Sequence, residues 1–292
     1  MSSAVNVTTE PFQLTAADGR RIVGDIDTPD GPVAGRGIIM PAFGLTRLDL
    51  LAASYYLLAN GFEVVRFDPT CHVGDSDGDI EDFRLSKFAK DIDTVLSRFA
   101  DRDTSVIGIS LSSRPAFRVL AGHVLKSVFL LSPVVNTRQT LMEVSGEDLV
   151  GKFIDGTLPA VYSILGIGVK RTFCQDCLDG GFSSLESALV DSAGMHTPTC
   201  LIVGSEDRWV AIDEVAQVAQ AMSQCRLVKL EGANHQMFRS PVIFQVYLTA
   251  LLREMYATYG LQGELEVPRF AEVVRYVNAF KRARQAAEAV CD

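Results

Sequence analysis

The segment Ser105-Val106-Ile107-Gly108-Ile109-Ser110-Leu111-Ser112-Ser113-Arg114-Pro115-Ala116 constrains the fold more than any other. Val106 and Ile107 read as the end of a buried strand, and Pro115 to Ala121 as a helix. Between them lies only a tight turn, Gly108-x-Ser110-x-Ser112. It is close to the G-x-S-x-G pattern that displays a serine hydroxyl at the top of a strand. A sharp strand-to-helix turn demands small neighbours. The amide after the serine, Leu111 N–H, opens the helix and can face a developing negative charge. Ser112 stands where glycine is commoner. The same residues therefore also read as a serine-rich helix cap, since serine is a good N-cap.

The surrounding chain decides between the two. Short apolar runs at 37–40, 63–67, 126–131, 199–203 and 226–230 alternate with helical periodicity at 48–60, 83–99, 213–222 and 241–259. Phe12 to Ile26 reads as a hairpin about Asp18-Gly19. Strands alternating with helices imply a mostly parallel sheet covered on both faces, an α/β fold. Alternation lapses from about Val134 to Met195, where glycines interrupt helical pieces. A structureless loop of that length is uncommon. Residues 134–195 are therefore expected to form a cap inserted over the carboxyl edge of a core built from 1–133 and 196–292. Residues 268–290 carry Phe270, Val273, Val274, Val277 and Phe280 on one stripe, as a helix packed on the domain would.

Composition excludes some roles. The 292 residues carry a formal net charge of −9, which leaves no basic surplus for nucleic acid. No apolar run is long enough to span a membrane, and Met1 to Thr8 lacks the basic and apolar regions of a secretory leader. The six cysteines are scattered. A cytoplasmic protein with reduced thiols is expected. Cys174-x-x-Cys177 has no further ligands nearby in sequence for zinc and reads as structural or incidental.

A nucleophilic serine needs a base, and the base needs an orienting acid. In α/β-hydrolases these follow in the order Ser, Asp or Glu, His, each in a loop after a strand. Ser110, Asp207 and His235 supply that order. Asp207 follows the run 199–203, with Glu206 and Asp213 as competing acids. His235 follows 226–230, whereas His123 and His196 follow neither of these last strands. The second oxyanion donor besides Leu111 N–H should come from the loop after 37–40, either Phe43 N–H or its competitor Ala42 N–H. His72, after 63–67, falls near the pocket mouth in this fold, in a structural or a substrate-facing role. Ala42, His72, Phe153 and Tyr162 are the expected substrate-binding residues. The apolar cap residues Phe153, Ile154, Leu158, Val161, Tyr162, Ile164, Leu165 and Ile167 either line an acyl tunnel or form the cap's own core.

With these residues in place, the chain resembles the acyl transferases of bacterial bioluminescence operons, tetradecanoyl-acyl-carrier-protein thioesterases of the α/β-hydrolase fold. The similar stretches are Asn60 to Asp68, His72-Val73-Gly74, Ser110-Leu111-Ser112-Ser113-Arg114, Val134 to Leu141, Asp207-Arg208-Trp209-Val210 and Gly232-Ala233-Asn234-His235. That family also has S-L-S at its elbow, and its triad maps onto Ser110, Asp207 and His235. It carries two adjacent histidines where this chain has Cys71-His72, and its cap sequence is poorly shared apart from Asp176-Cys177. The resemblance implies a serine thioesterase or acyl transferase acting on an acyl group carried by acyl carrier protein or coenzyme A. An acceptor protein or small molecule would take the acyl group, with no metal or redox cofactor. A carboxylesterase, lactonase or amide hydrolase would use the same triad, and a non-catalytic binding protein could use the same scaffold. On an acidic chain, docking of an acidic carrier would need a local basic patch, for which Arg114, Arg118 and Lys126 are candidates.

Overall fold

The computed structural model describes residues 5–291, with side chains to residue 286. Met1 to Ala4 of the stretch read for a leader, and the Cys291 side chain, lie outside the described residues. The strands are β1 (Val7–Thr15), β2 (Arg21–Pro29), β3 (Gly35–Met40), β4 (Phe62–Asp68), β5 (Thr104–Ile109), β6 (Ser127–Leu131), β7 (Val161–Ile164), β8 (Ile167–Lys170), β9 (Thr199–Gly204) and β10 (Cys225–Leu230). Eight of them form one sheet in the order β1-β2-β4-β3-β5-β6-β9-β10. β1 and β2 form the expected hairpin, and β2 runs antiparallel to β4. Every other pairing in that sheet is parallel. The central strands are buried on both faces, which is why they read as continuous apolar runs.

Side-chain alternation splits each strand between two cores. Ile38, Val106, Val128 and Leu201 face one layer, and Ile39, Ile107, Phe129 and Ile202 the other. The first layer holds α2 (Leu85–Phe99), α3 (Ser113–Val119) and α8 (Ile212–Ala221). The second holds α1 (Leu51–Leu58), α9 (Pro241–Tyr259) and α10 (Phe270–Cys291). α10 packs on α1, with the Tyr55 and Tyr276 rings stacked at 4.8 Å between centroids.

Between β6 and β9, which are neighbours in the sheet, the chain makes α4 (Thr137–Ser145), α5 (Leu149–Ile154), the separate β7–β8 hairpin, α6 (Thr172–Asp179) and α7 (Leu185–Ala193). α6 packs on α2, and α7 on α3 and α8, so the end of this insertion joins the first helical layer. Asp176 on α6 accepts the Ser86 amide at 3.0 Å in the first turn of α2, which accounts for the shared Asp176.

After β3 the chain steps outward to β4, then crosses to the other side of β3 to make β5. Strand order therefore reverses between β3 and β5. The crevice beyond the carboxyl ends of those strands is the ligand position such a sheet offers.

Candidate active site

Ser110 occupies the turn between β5 and α3 with φ +56°, a left-handed conformation rare for serine. Backbone contacts hold it there. A Cβ on Gly108 would lie 2.7 Å from Leu130 Cδ2 and 2.9 Å from Met40 Cε, so a larger residue would have to push those two side-chain ends aside. The fully buried Ser112 hydroxyl accepts the Ile109 N–H at 2.7 Å and donates to the Ile109 carbonyl at 2.9 Å. Serine at the fifth position of the elbow thus ties the turn closed. The Val134 amide donates to the Ser110 carbonyl at 3.2 Å, linking the elbow to the segment that enters the insertion.

Two further loops bring up the partners. Asp207 follows β9 and His235 follows β10, on adjacent parallel strands. The loops are bound together by Ser205 N–H to Leu230 O, Glu206 N–H to Ala233 O and Gly232 N–H to Ser205 Oγ, each at 2.8 Å. Gly204 permits that approach, since its Cβ would sit 2.2 Å from Ala233 O. His235 Nδ1 lies 2.9 Å from Asp207 Oδ2, and His235 Nε2 lies 2.7 Å from Ser110 Oγ. Asp207 Oδ1 also accepts the Trp209 and Val210 amides at 3.0 and 3.1 Å, which fixes the carboxylate plane. The competitors are placed elsewhere: Glu206 and Asp213 are exposed.

With Nδ1–H donating to Asp207, Nε2 is free to accept the Ser110 proton. Among the described residues neither the Leu111 nor the Phe43 N–H has an acceptor. Phe43 sits in a turn closed by Leu45 N–H to Ala42 O at 3.1 Å. Phe43 and Leu111 line one cavity of about 180 Å³ together with Ser110. Its walls are mostly apolar: Leu45, Val134, Leu141, Val144, and Ile164 and Leu165 from the β7–β8 hairpin.

Of the expected substrate-binding residues, Ala42 lines this cavity; His72, Phe153 and Tyr162 do not. Buried His72 lies beneath the Phe43 loop, where Nε2 accepts the Gly44 N–H at 3.1 Å. Phe43, Phe83 and Phe88 surround the ring at 6.0, 5.2 and 6.3 Å between centroids. Burial pushes its pKa down to about 4. The ring is therefore a neutral prop under the Phe43 loop. Tyr162 turns into the insertion's own core, its hydroxyl 3.0 Å from Cys174 Sγ, and Phe153 packs on that core. Of the apolar residues read in this segment, only Ile164 and Leu165 reach the cavity.

Arg114 is also displaced from its expected place. It is fully buried and pairs with Asp191 at 2.7 Å while donating to Gly181 O and Ser187 Oγ at 2.7 and 2.8 Å. It clamps α3 to α7 and is not available to a docking partner. Trp209 is a site residue that residue-by-residue reading missed. Its ring packs 4.7 Å from the His235 imidazole and lines the cavity. The chain's single tryptophan, two residues after the triad acid, was the available signal.

Burial pushes the Cys174 and Cys177 thiols upward, away from the reactive thiolate. Among the described residues no group of three or more His, Cys, Asp or Glu is placed to hold a metal ion. No described helix is long and apolar enough to cross a membrane.

The sheet, its switch point and the Ser–His–Asp chain on successive loops define an enzyme of the α/β-hydrolase class. Solved structures agree on the fold. Est1E from Butyrivibrio proteoclasticus with bound ferulic acid has a TM-score of 0.69 at 19% identity, over 85% of this chain and 99% of that one. An esterase from Exiguobacterium antarcticum has a TM-score of 0.61 at 13% identity, over 83% and 98%.

The family model described as acyl transferase matches residues 31–270, and the chain belongs to that family. An acyl transferase of Vibrio harveyi is 28% identical over 243 residues, 81% of this chain and 79% of its own length. One of Aliivibrio fischeri is 30% identical over 240 residues, 78% and 77%.

Proposed function

We propose that this enzyme is a serine-dependent acyl transferase or thioesterase that cleaves an acyl thioester through an acyl-enzyme on Ser110. The observation that carries the reading is the hydrogen-bonded chain from Ser110 Oγ through His235 to Asp207, on the wall of an apolar cavity. Ser110 Oγ forms a bond to the thioester carbonyl carbon as its proton passes to His235 Nε2. Asp207 holds the tautomer and stabilises the imidazolium. The oxyanion takes hydrogen bonds from the Leu111 N–H and a second amide of the Phe43 loop, Phe43 N–H or Ala42 N–H, each worth about 10²–10³ in rate. Collapse breaks the C–S bond, and His235 protonates the departing thiolate of acyl carrier protein or coenzyme A.

An acceptor then attacks the Ser110 ester, losing its proton to His235, which returns a proton to Ser110. Water gives a fatty acid; an alcohol, amine or thiol, on a small molecule or a protein, gives a transferred acyl group. The apolar lining supports a hydrocarbon tail as the acyl group, and family membership supports acyl transfer as the reaction.

The test is intact-protein mass spectrometry after brief incubation with a panel of acyl-carrier and acyl-coenzyme A thioesters, beside Ser110→Ala. A mass gain of one acyl group, absent in the variant, is expected. Neither an adduct nor thiol release from any thioester would sink the reading and turn attention to esters, lactones and amides.

A further inference from the structure

Four non-glycine residues among those described have positive φ: Cys71, Ser110, Ser132 and Leu165. Three have small side chains with a local reason to be there. Ser110 presents the elbow hydroxyl, the buried Ser132 hydroxyl lies 2.7 Å from Tyr247 OH, and buried Cys71 has Lys87 Nζ at 3.3 Å. Leu165 differs. It is a branched apolar residue at φ +52°, 48% exposed, at the tip of the β7–β8 hairpin.

Ile164 pairs with Ile167, so Leu165-Gly166 is a two-residue turn. Both φ values are positive, +52° and +86°, as in a type I′ turn. That turn favours Asn-Gly, because asparagine tolerates the left-handed region where a leucine Cβ crowds its own carbonyl. Neither backbone preference nor burial explains leucine at this position. Its remaining distinction is that it lines the cavity containing Ser110.

The hairpin beneath the tip is anchored. Ile164 is buried, Lys170 pairs with Asp82 at 3.1 Å, and Arg171 N–H donates to Ala160 O at 2.9 Å. Ile167 lies against the Phe43 loop, where a Cβ on Gly44 would come within 2.6 Å of Ile167 Cδ1. An exposed leucine is thus held in place at the cavity wall before any substrate arrives.

We propose that Leu165 is a specificity-determining residue. The strained tip presents an apolar side chain that a long acyl tail covers, so that selection for chain length is made where the tail passes the hairpin. The proposal rests on the acyl-enzyme reading above. The contact stabilises the bound tail only when the tail is long enough to reach it. Shorter acyl groups leave Leu165 in water and gain nothing from it.

The experiment measures kcat and KM for p-nitrophenyl esters and coenzyme A thioesters from acetyl to tetradecanoyl. The full-length wild type is compared with Leu165→Asn, Leu165→Gly and Leu165→Met, each with its thermal midpoint. For Asn and Gly, kcat/KM toward tetradecanoyl substrates should fall about 3- to 13-fold, the loss expected from half-covering a leucine, mainly through KM. Acetyl substrates should stay within about twofold. Met, which keeps the apolar reach, should retain the wild-type profile. The Asn and Gly midpoints should hold or rise by about 1–3 °C as strain is relieved. The chain length at which sensitivity begins measures the distance from Ser110 to the tip. An unchanged chain-length profile in both Asn and Gly variants, or equal losses for acetyl and tetradecanoyl substrates, overturns the proposal. A lowered midpoint overturns the strain argument on which it stands. A wild type that turns over no acyl substrate of any length overturns the underlying reading instead.

Discussion

Replacing Ser112 with glycine would convert this elbow into the commoner G-x-S-x-G pattern, and the structure makes that change damaging. The Ser112 hydroxyl is fully buried and lies 2.7 Å from the Ile109 N–H, which donates to it. Removing a buried acceptor costs about 1–3 kcal/mol. Glycine in the turn that opens a helix adds roughly 0.5–1 kcal/mol relative to alanine. Ser112→Gly should therefore lose about 1.5–4 kcal/mol, and Ser112→Ala only the first part. At roughly 2 °C per kcal/mol for a chain of this size, the glycine variant should unfold about 3–8 °C below the wild type. The same hydroxyl holds the backbone of Ile109, the residue directly before Ser110, whose φ of +56° must be maintained. A displacement of about 1 Å at a reacting atom costs on the order of 10²-fold in rate. The acylation rate, read with a fluorophosphonate probe or by thiol release, should fall by about tenfold or more with little change in KM. Differential scanning calorimetry and single-turnover kinetics on both variants make the check. A glycine variant within about 1 °C of the wild type and equally fast would refute the argument that the hydroxyl closes the elbow.

Two other perturbations have defined signs. Arg114→Leu removes the buried guanidinium that holds half-buried Asp191, Gly181 O and Ser187 Oγ, and because Arg118 remains 2.9 Å from Asp191 the loss should be about 1–3 kcal/mol in urea unfolding; less than about 0.5 kcal/mol would refute its role as a clamp between α3 and α7. His72 and Asp91 oppose each other with pH. The His72 pKa is pushed down to about 4, so its stabilising effect is complete above about pH 6.5 and fades as pH falls toward 4. The Asp91 carboxyl, buried although it accepts the Thr70 amide and hydroxyl at 2.7 and 2.8 Å, is pushed up to about 6. Its effect is complete below about pH 3.8 and fades as pH rises through 6. Between pH 4 and 6 each slope amounts to about 2–3 kcal/mol in opposite directions. Relative to wild type, His72→Gln should lose stability as pH rises through that window, and Asp91→Asn should gain it, in urea titrations at half-unit steps. Parallel curves for all three proteins would refute the assignment.

Much of the resemblance to the bioluminescence acyl transferases lies in residues that hold the scaffold. Asn60 bridges chain segments by donating to Tyr56 O and Glu266 O, while its Oδ1 accepts Tyr256 OH and Glu266 N–H. Arg66 is fully buried in β4, its Nε donating to Asp27 at 2.7 Å, and Asp68 accepts the Arg47 and Asp75 amides at 2.6 and 3.0 Å. A Cβ on Gly74 would collide with that Asp68 carboxylate, which explains the glycine of His72-Val73-Gly74. Hydrophobic periodicity cannot anticipate such a network, because a charged residue within a strand carries no mark of the partners that let it be buried.

The sequence by itself determined the layered sheet. Its doubly buried strands are continuous apolar runs, its helices show their apolar stripe, and both signals are local. It also determined that Ser110, Asp207 and His235 each follow a strand. In a parallel sheet every such loop emerges at the same edge, so chain order alone brings the three to one side. Tertiary structure decided what depends on distance between segments remote in sequence. It put Asp207 rather than Glu206 or Asp213 on the imidazole, moved His72 beneath the Phe43 loop, and buried Arg114 as a clamp. It also folded 161–170 into a hairpin that the sequence did not announce, because Leu165-Gly166 lacks the residues that usually mark such a turn. Local pattern gives each side chain a face. Which cavity or partner that face meets is set by the packing of the whole chain.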